Sequence, residues 1–273
     1  MNKSFDISRF CQVLKWTIAS EKKSIVTAFI ALTVAFLAIQ LFSCFTIFDI
    51  NRSLGEAVTM AGMGTCAALL GFMAAYYASG ILGNARTREQ RTTALMLPAS
   101  NLEKFVARLV YCCIGMLVVL YVAILAATGL RLLLELIAGH DDTTAGLSIL
   151  FGSVGSMHSE IDYSLLFQVA AALWSASLFV LGGVFFRKHP FVWTNVTLFA
   201  GGLLFFTLLF YVTTLIGEEK VALFLRPIFK DMTTEAFFNW VSLFLLAFTV
   251  FNVWLSYRLF CRLQVVQHKW FNL

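Results

Sequence analysis

The sequence predicts an all-α polytopic membrane protein: six membrane-spanning helices, an N-terminal amphipathic helix on the membrane surface, and both termini in the cytoplasm. Of its 273 residues, 60% are hydrophobic and 13% are charged, whereas a soluble globular domain is about half apolar and a quarter charged. Apolar runs of spanning length recur along the chain, and most positive charges lie on one side of them. No repeat or low-complexity linker divides the chain, which predicts a single transmembrane domain over residues 1–273.

The first predicted element is a helix over residues 5–20. Apolar side chains recur there at helical spacing and therefore share one face: Ile7, Phe10, Cys11, Leu14 and Ile18. Arg9, Gln12 and Lys15 lie away from the centre of that face, and Trp16 is typical of a headgroup region. The pattern favours an amphipathic helix lying on the membrane. The alternative is a plain extension of the first span.

Six apolar segments follow, each long enough for the roughly 20 residues that a bilayer requires. The predicted spans are Ser24–Phe48, Ala61–Gly83, Phe105–Thr128, Tyr163–Phe186, Phe191–Ile216 and Ala236–Tyr257. Pro190 stands just before the fifth span, where its missing N–H costs nothing because the first N–H groups of a helix have no partner within it. The spans therefore predict three outer and two inner connections.

Charge predicts the orientation. If the N-terminus is inside, the inner segments are 1–23, 84–108, 187–190 and 258–273, and they hold 15 of the 20 lysines and arginines. The outer segments hold 11 of the 15 acidic residues. Cytoplasmic loops carry such an excess of positive charge. Basic loops beside an anionic inner leaflet account for the net charge of +5, so no nucleic-acid partner is implied.

A polar stretch, Glu89–Arg108, separates the second and third spans. Within it, Ser100 and Glu103 have the spacing of a capping box, in which each side chain bonds the other residue's backbone N–H. Pro98 disfavours helix at Leu97. The sequence therefore predicts a bent elbow that breaks near residues 97–99 and restarts as a helix at Ser100.

Several absences narrow the possible functions. Apart from Arg108 in the first turn of the third span, the six predicted spans contain no Asp, Glu, Lys, Arg or His, whereas ion-coupled pumps place ionisable groups deep within their spans. The chain has no phosphate-loop motif, and its acidic outer loops match no zinc or calcium spacing. We therefore expect no enzyme, no bound cofactor and no metal. Energy for any uphill transport must come from a partner.

The polar stretch resembles the inner loop of type-2 ATP-binding-cassette exporter permeases. Its residue sequence is similar to that of permeases found in the Bacteroidetes. The residues that carry the resemblance are Glu89, Thr92, Leu97, Pro98, Ser100, Glu103, Lys104 and Arg108. The chain departs from the family at Arg91, which precedes Thr92 where the family usually has glycine. The predicted surface helix, six spans and inner termini agree with this family.

The resemblance implies a permease subunit in the cell inner membrane of a bacterium. A second permease chain, identical or different, would pair with it in the lipid bilayer, and separate ATPase subunits would dock on the segment near 84–103. The outer gate would lie at 217–235, with Glu218, Glu219, Arg226 and Pro227 as candidates. The expected substrate is amphipathic: a peptide, drug, lipid or glycolipid. The alternatives are a non-transporting scaffold or sensor subunit and, in third place, a membrane enzyme.

Overall fold

The computed structural model describes residues 5–48, 52–83, 92–93, 96–137, 165–217, 220 and 233–262. These residues are largely helical, and no strand occurs among them. The main helices are α1 (Ile7–Ser20), α2 (Lys22–Phe48), α3 (Arg52–Ser79), α4 (Asn101–Leu109), α5 (Met116–Ile137), α6 (Leu165–Phe185), α7 (Pro190–Ile216) and α8 (Thr234–Cys261). A π-helical turn, Val110–Gly115, joins α4 to α5.

Five helical stretches are long and apolar enough to cross a membrane. They are Lys22–Phe42, Asn101–Leu134, Leu166–Phe185, Pro190–Ile216 and Thr234–Cys261. They coincide with five of the six predicted spans, and the described residues confirm the predicted all-helical fold. The remaining predicted span, 61–83, lies on α3, which ends at Ser79 and is followed by a turn. The sixth span stays a prediction, as does the side on which each terminus lies.

The helix ends follow from local sequence. The Asp6 carboxylate caps α1 by accepting the backbone N–H of Ser8 at 2.9 Å. Thr233 caps α8 in the same way. Pro190 occupies the first turn of α7, as predicted. Gly217 ends that helix with φ of 86°, a conformation that glycine adopts without the strain a side chain would cause.

The chain divides into two compact units: Met1–Ala78 with Pro98–Ile161, and Ser79–Leu97 with Asp162–Leu273. In the first unit, α2 packs along α5. Phe36 and Leu120 are fully buried in its core, and Cys66 of α3 belongs to the same cluster. Because dispersion and close packing associate helices inside lipid, this interdigitated core stabilises the unit.

Polar contacts reinforce the α2–α5 packing. The Gln40 side-chain amide donates to the Thr128 hydroxyl at 3.1 Å, and that hydroxyl donates to the Ile124 carbonyl. Hydrogen bonds between helices in a membrane contribute about 0.6 kcal/mol on average. Arg131, one turn beyond Thr128, is also buried, on a helix that continues past the predicted end of the third span to Ile137.

In the second unit, α8 packs along α6. The rings of Phe167 and Phe238 meet near one end, and the Asn252 side-chain amide donates to the Ser177 hydroxyl at 3.1 Å further along. The α6–α7 turn is tight, with Phe179 stacked on Phe191 at 5.7 Å. Beyond this turn, most side chains of α7 are exposed, which suits a surface in contact with lipid.

Candidate coupling site

The predicted elbow and its capping box are present. Residues 97–99 form a bend, and Ser100 has extended backbone before α4 begins. The backbone N–H of Ser100 donates to Glu103 Oε2 at 2.8 Å, and the N–H of Glu103 donates to Ser100 Oγ at 3.2 Å. Each bond satisfies an N–H that has no partner within the helix. The start of α4 is therefore fixed by its own sequence.

The other Glu103 oxygen joins this elbow to the N-terminal helix. Oε1 accepts the backbone N–H of Asp6 at 2.9 Å, and an Arg9 guanidinium nitrogen lies 3.3 Å from it. Asp6 is also the residue that caps α1. One carboxylate thus bonds the N-cap residues of two helices. We call Asp6, Arg9, Ser100 and Glu103 the elbow joint.

The centre of the elbow joint is buried. The Glu103 side chain has no exposed surface, whereas those of Asp6 and Arg9 are 52% and 34% exposed. Helix N-termini carry partial positive charge, and hydrogen bonds from N–H groups and a nearby arginine favour the ionised form of a carboxyl group. Both helix ends and Arg9 therefore stabilise the buried negative charge.

The faces of α1 differ from the sequence-based prediction. Its buried residues are Val13 and Thr17, and the helix packs mainly on α4. Of the predicted apolar face, Ile7 is 71% exposed and Ile18 is 46% exposed. The helix thus docks through a neighbouring face and leaves most of its apolar face uncovered by protein. That arrangement suits a helix whose apolar side lies in the membrane interface.

The elbow leads into a candidate span without interruption. From α4 the chain passes through the π turn Val110–Gly115 into α5, and the candidate span runs from Asn101 to Leu134. Single π-helical turns inside α-helices occur frequently at functional sites. Because α4, the π turn and α5 form one continuous helical stretch, a displacement of the elbow can be carried directly into this candidate span.

The remaining predicted residues occupy varied settings. Thr92 is helical and Leu97 lies in the bend, both in the second unit, while Pro98 begins the next stretch of the first unit and is exposed. Lys104 is 7% exposed, as is Arg108. The other candidates lie outside the described residues: Glu89, Glu218, Glu219, Arg226 and Pro227.

Asp6 and Arg9 were not identified as site residues from the sequence. The capping-box pattern engages only one oxygen of Glu103, which leaves the second free for a partner. Nothing in the sequence locates that partner nearly a hundred residues away. A weak local signal exists in Asp6 itself, an N-cap residue type placed just before the apolar periodicity of α1.

Among the described residues, no group of three or more His, Cys, Asp or Glu side chains is placed to hold a metal ion. No protein-family model, curated protein or solved structure matches the chain. The geometry of the elbow joint, together with the sequence, therefore carries the functional argument.

Proposed function

We propose that this chain is the permease subunit of an ATP-binding-cassette exporter in a bacterial inner membrane. Two permease chains would form the pathway for an amphipathic substrate, and separate ATPase subunits would supply the energy. The observation that carries the proposal is the elbow joint, because it fastens a surface helix to a proline-bent segment that continues into a candidate span.

The proposed mechanism follows from that connection. ATP binding closes the ATPase pair, which displaces the elbow that rests on it. Because Glu103 bonds Asp6 and Ser100, α1 and α4 move as one body. Their movement passes through the π turn into α5. Such coupling requires that the ATP-bound ATPase bind one permease conformation more tightly than the other.

An exposed elbow residue allows a direct test of ATPase binding. The Met96 side chain is 82% exposed, so its replacement by aspartate leaves the fold intact while adding a charge to the proposed docking surface. The tagged chain, purified from its native host in mild detergent, should carry a soluble-type ATPase and ATPase activity. Met96→Asp should reduce the co-purified activity roughly tenfold, the effect of about 1.4 kcal/mol at an interface.

Met96→Leu is the matched control and should retain the ATPase. If the wild-type chain elutes alone, or if an ATPase co-purifies equally with all three proteins, the proposed docking surface is wrong. A chain that elutes alone supports the alternative of a scaffold or sensor subunit.

A further inference from the structure

One face of α8 combines exposed aromatic rings with two arginines. Its members recur every three or four residues and so lie along a single stripe: Trp240, Phe244, Ala247, Phe251, Trp254, Arg258 and Arg262. All seven side chains are exposed, with Phe244 at 63% and Trp254 at 50%. We call this stripe the α8 lipid face.

The α8 lipid face points away from the protein packing of its own unit. The buried residues of α8 are Ser242, Asn252, Ser256 and Phe260, and Asn252 bonds Ser177 of α6. By helical periodicity these buried residues lie on the opposite side from Trp254 and Arg258. The stripe is therefore available to a ligand from the surroundings.

The cationic end of the stripe has the features of a headgroup site. The Arg258 guanidinium lies 5.0 Å from the centre of the Trp254 ring, a cation–π contact that fixes its position. Arg262 follows one turn later. Trp240 lies about 27 Å along the helix from Arg258 and about 33 Å from Arg262, close to the roughly 30 Å thickness of the hydrocarbon core, and tryptophans are enriched at membrane interfaces. Arg258 and Arg262 then lie at headgroup depth.

Further positive charge gathers at this end of the second unit. Phe167 meets Phe238, and Ser177 meets Asn252, so α6 and α8 run parallel. Arg187 and Lys188, which follow the end of α6, therefore lie at the same end as Arg258 and Arg262. Neither 187–190 nor 258–273 contains an acidic residue. This end of the unit is strongly attractive to an anion.

We propose that the α8 lipid face binds an anionic phospholipid. Arg258 and Arg262 hold its phosphate, the Trp254 ring lies beside its glycerol, and an acyl chain runs along Phe251 and Phe244 across the gap left by Ala247. Charge complementarity decides against a second copy of this chain as the occupant, because a symmetric parallel pairing of two such stripes would bring like arginines together.

The test is native mass spectrometry of the purified full-length chain in detergent, titrated with phosphatidylglycerol and phosphatidylcholine of identical acyl chains. The wild type should bind phosphatidylglycerol more tightly, and 1 M salt should abolish the preference. Each basic residue near an anionic headgroup contributes about 1 kcal/mol, so Arg258→Gln/Arg262→Gln should weaken phosphatidylglycerol binding roughly 30-fold. Arg258→Lys/Arg262→Lys should retain most of the preference.

Lys22→Gln/Lys23→Gln is the matched control, since it removes the same charge from exposed residues at the start of α2. Equal loss in this control, or no preference in the wild type, overturns the proposal. If the arginine variant fails to fold, a salt-insensitive preference in the wild type overturns it as well. Unchanged lipid binding accompanied by a shift between monomer and dimer would identify a contact between copies instead.

Discussion

Replacing Glu103 with alanine is expected to release α1 from α4. The change removes the bonds from Asp6 N–H, Arg9 and Ser100 N–H to the carboxylate. Hydrogen bonds to charged groups each contribute about 1.5–3 kcal/mol, and the two that join the helices should together amount to roughly 3 kcal/mol. Amide hydrogen exchange over residues 7–20 should therefore accelerate roughly hundredfold, in lipid nanodiscs followed by mass spectrometry. In reconstituted vesicles, ATP hydrolysis should continue while transport stops.

Ser100→Ala is the discriminating control. It removes the acceptor of the Glu103 N–H, a loss of about 1 kcal/mol at the start of α4, but leaves the bonds of Glu103 with Asp6 and Arg9 in place. Exchange over residues 7–20 should then remain near the wild-type rate. If both variants accelerate exchange in α1 equally, Glu103 does not join the two helices. Unimpaired transport by Glu103→Ala would contradict its role in coupling.

Replacing Gly183 with alanine is expected to destabilise the second unit. A Cβ atom there would collide with the Ser79 carbonyl oxygen and lie 2.9 Å from its carbon. Because the obstruction is backbone, no side-chain rotation relieves it, and overpacking of this kind costs about 1–3 kcal/mol. The midpoint of thermal unfolding in detergent should fall by roughly 2–12 °C, since each kcal/mol lowers it by about 2–4 °C in a large domain.

Gly201→Ala provides the matched control, because the same change in α7 meets no atom within 4 Å. Alanine is favoured over glycine within a helix by about 0.8–1 kcal/mol, so the midpoint should hold or rise. A drop in Gly201→Ala as large as that in Gly183→Ala would show that the contact with Ser79 does not determine the outcome.

Some parts of this fold could be predicted because the sequence encodes them locally. The length of the apolar runs located five candidate spanning helices, and Pro190 marked the start of α7. The capping box was predicted bond for bond, since both partners, Ser100 and Glu103, lie within one turn. The spacing of residues in the sequence is sufficient to predict a contact where the interacting atoms belong to neighbouring residues.

Other parts depend on contacts between distant residues and have no local signal. The periodicity of α1 located its apolar face but not its docking face, which contains Val13 and Thr17. The hydrogen bond from the Asp6 N–H to the Glu103 carboxylate was not predicted, for the same reason. The π turn at Val110–Gly115 interrupts an apolar run, and no residue type in that run indicates a π-helical turn. The outer gate candidates lie outside the described residues and stay predictions.

The central claim is that the bent segment Met96–Ser100, which precedes the candidate span Asn101–Leu134, receives the force of a separate ATPase at the cytoplasmic surface. The claim requires the segment to be outside the bilayer on the inner side. The claim also requires the ATPase to cover this segment when the transporter is assembled. Both requirements can be tested at Met96, because its side chain is 82% exposed.

The most direct measurement is therefore thiol labelling of Met96→Cys in a chain whose native cysteines have been replaced. An impermeant maleimide should label this cysteine only from the cytoplasmic side of oriented membrane vesicles, and bound ATPase should slow the labelling at least tenfold. Labelling from the outer side alone, or an unchanged rate when the ATPase is bound, would contradict the account.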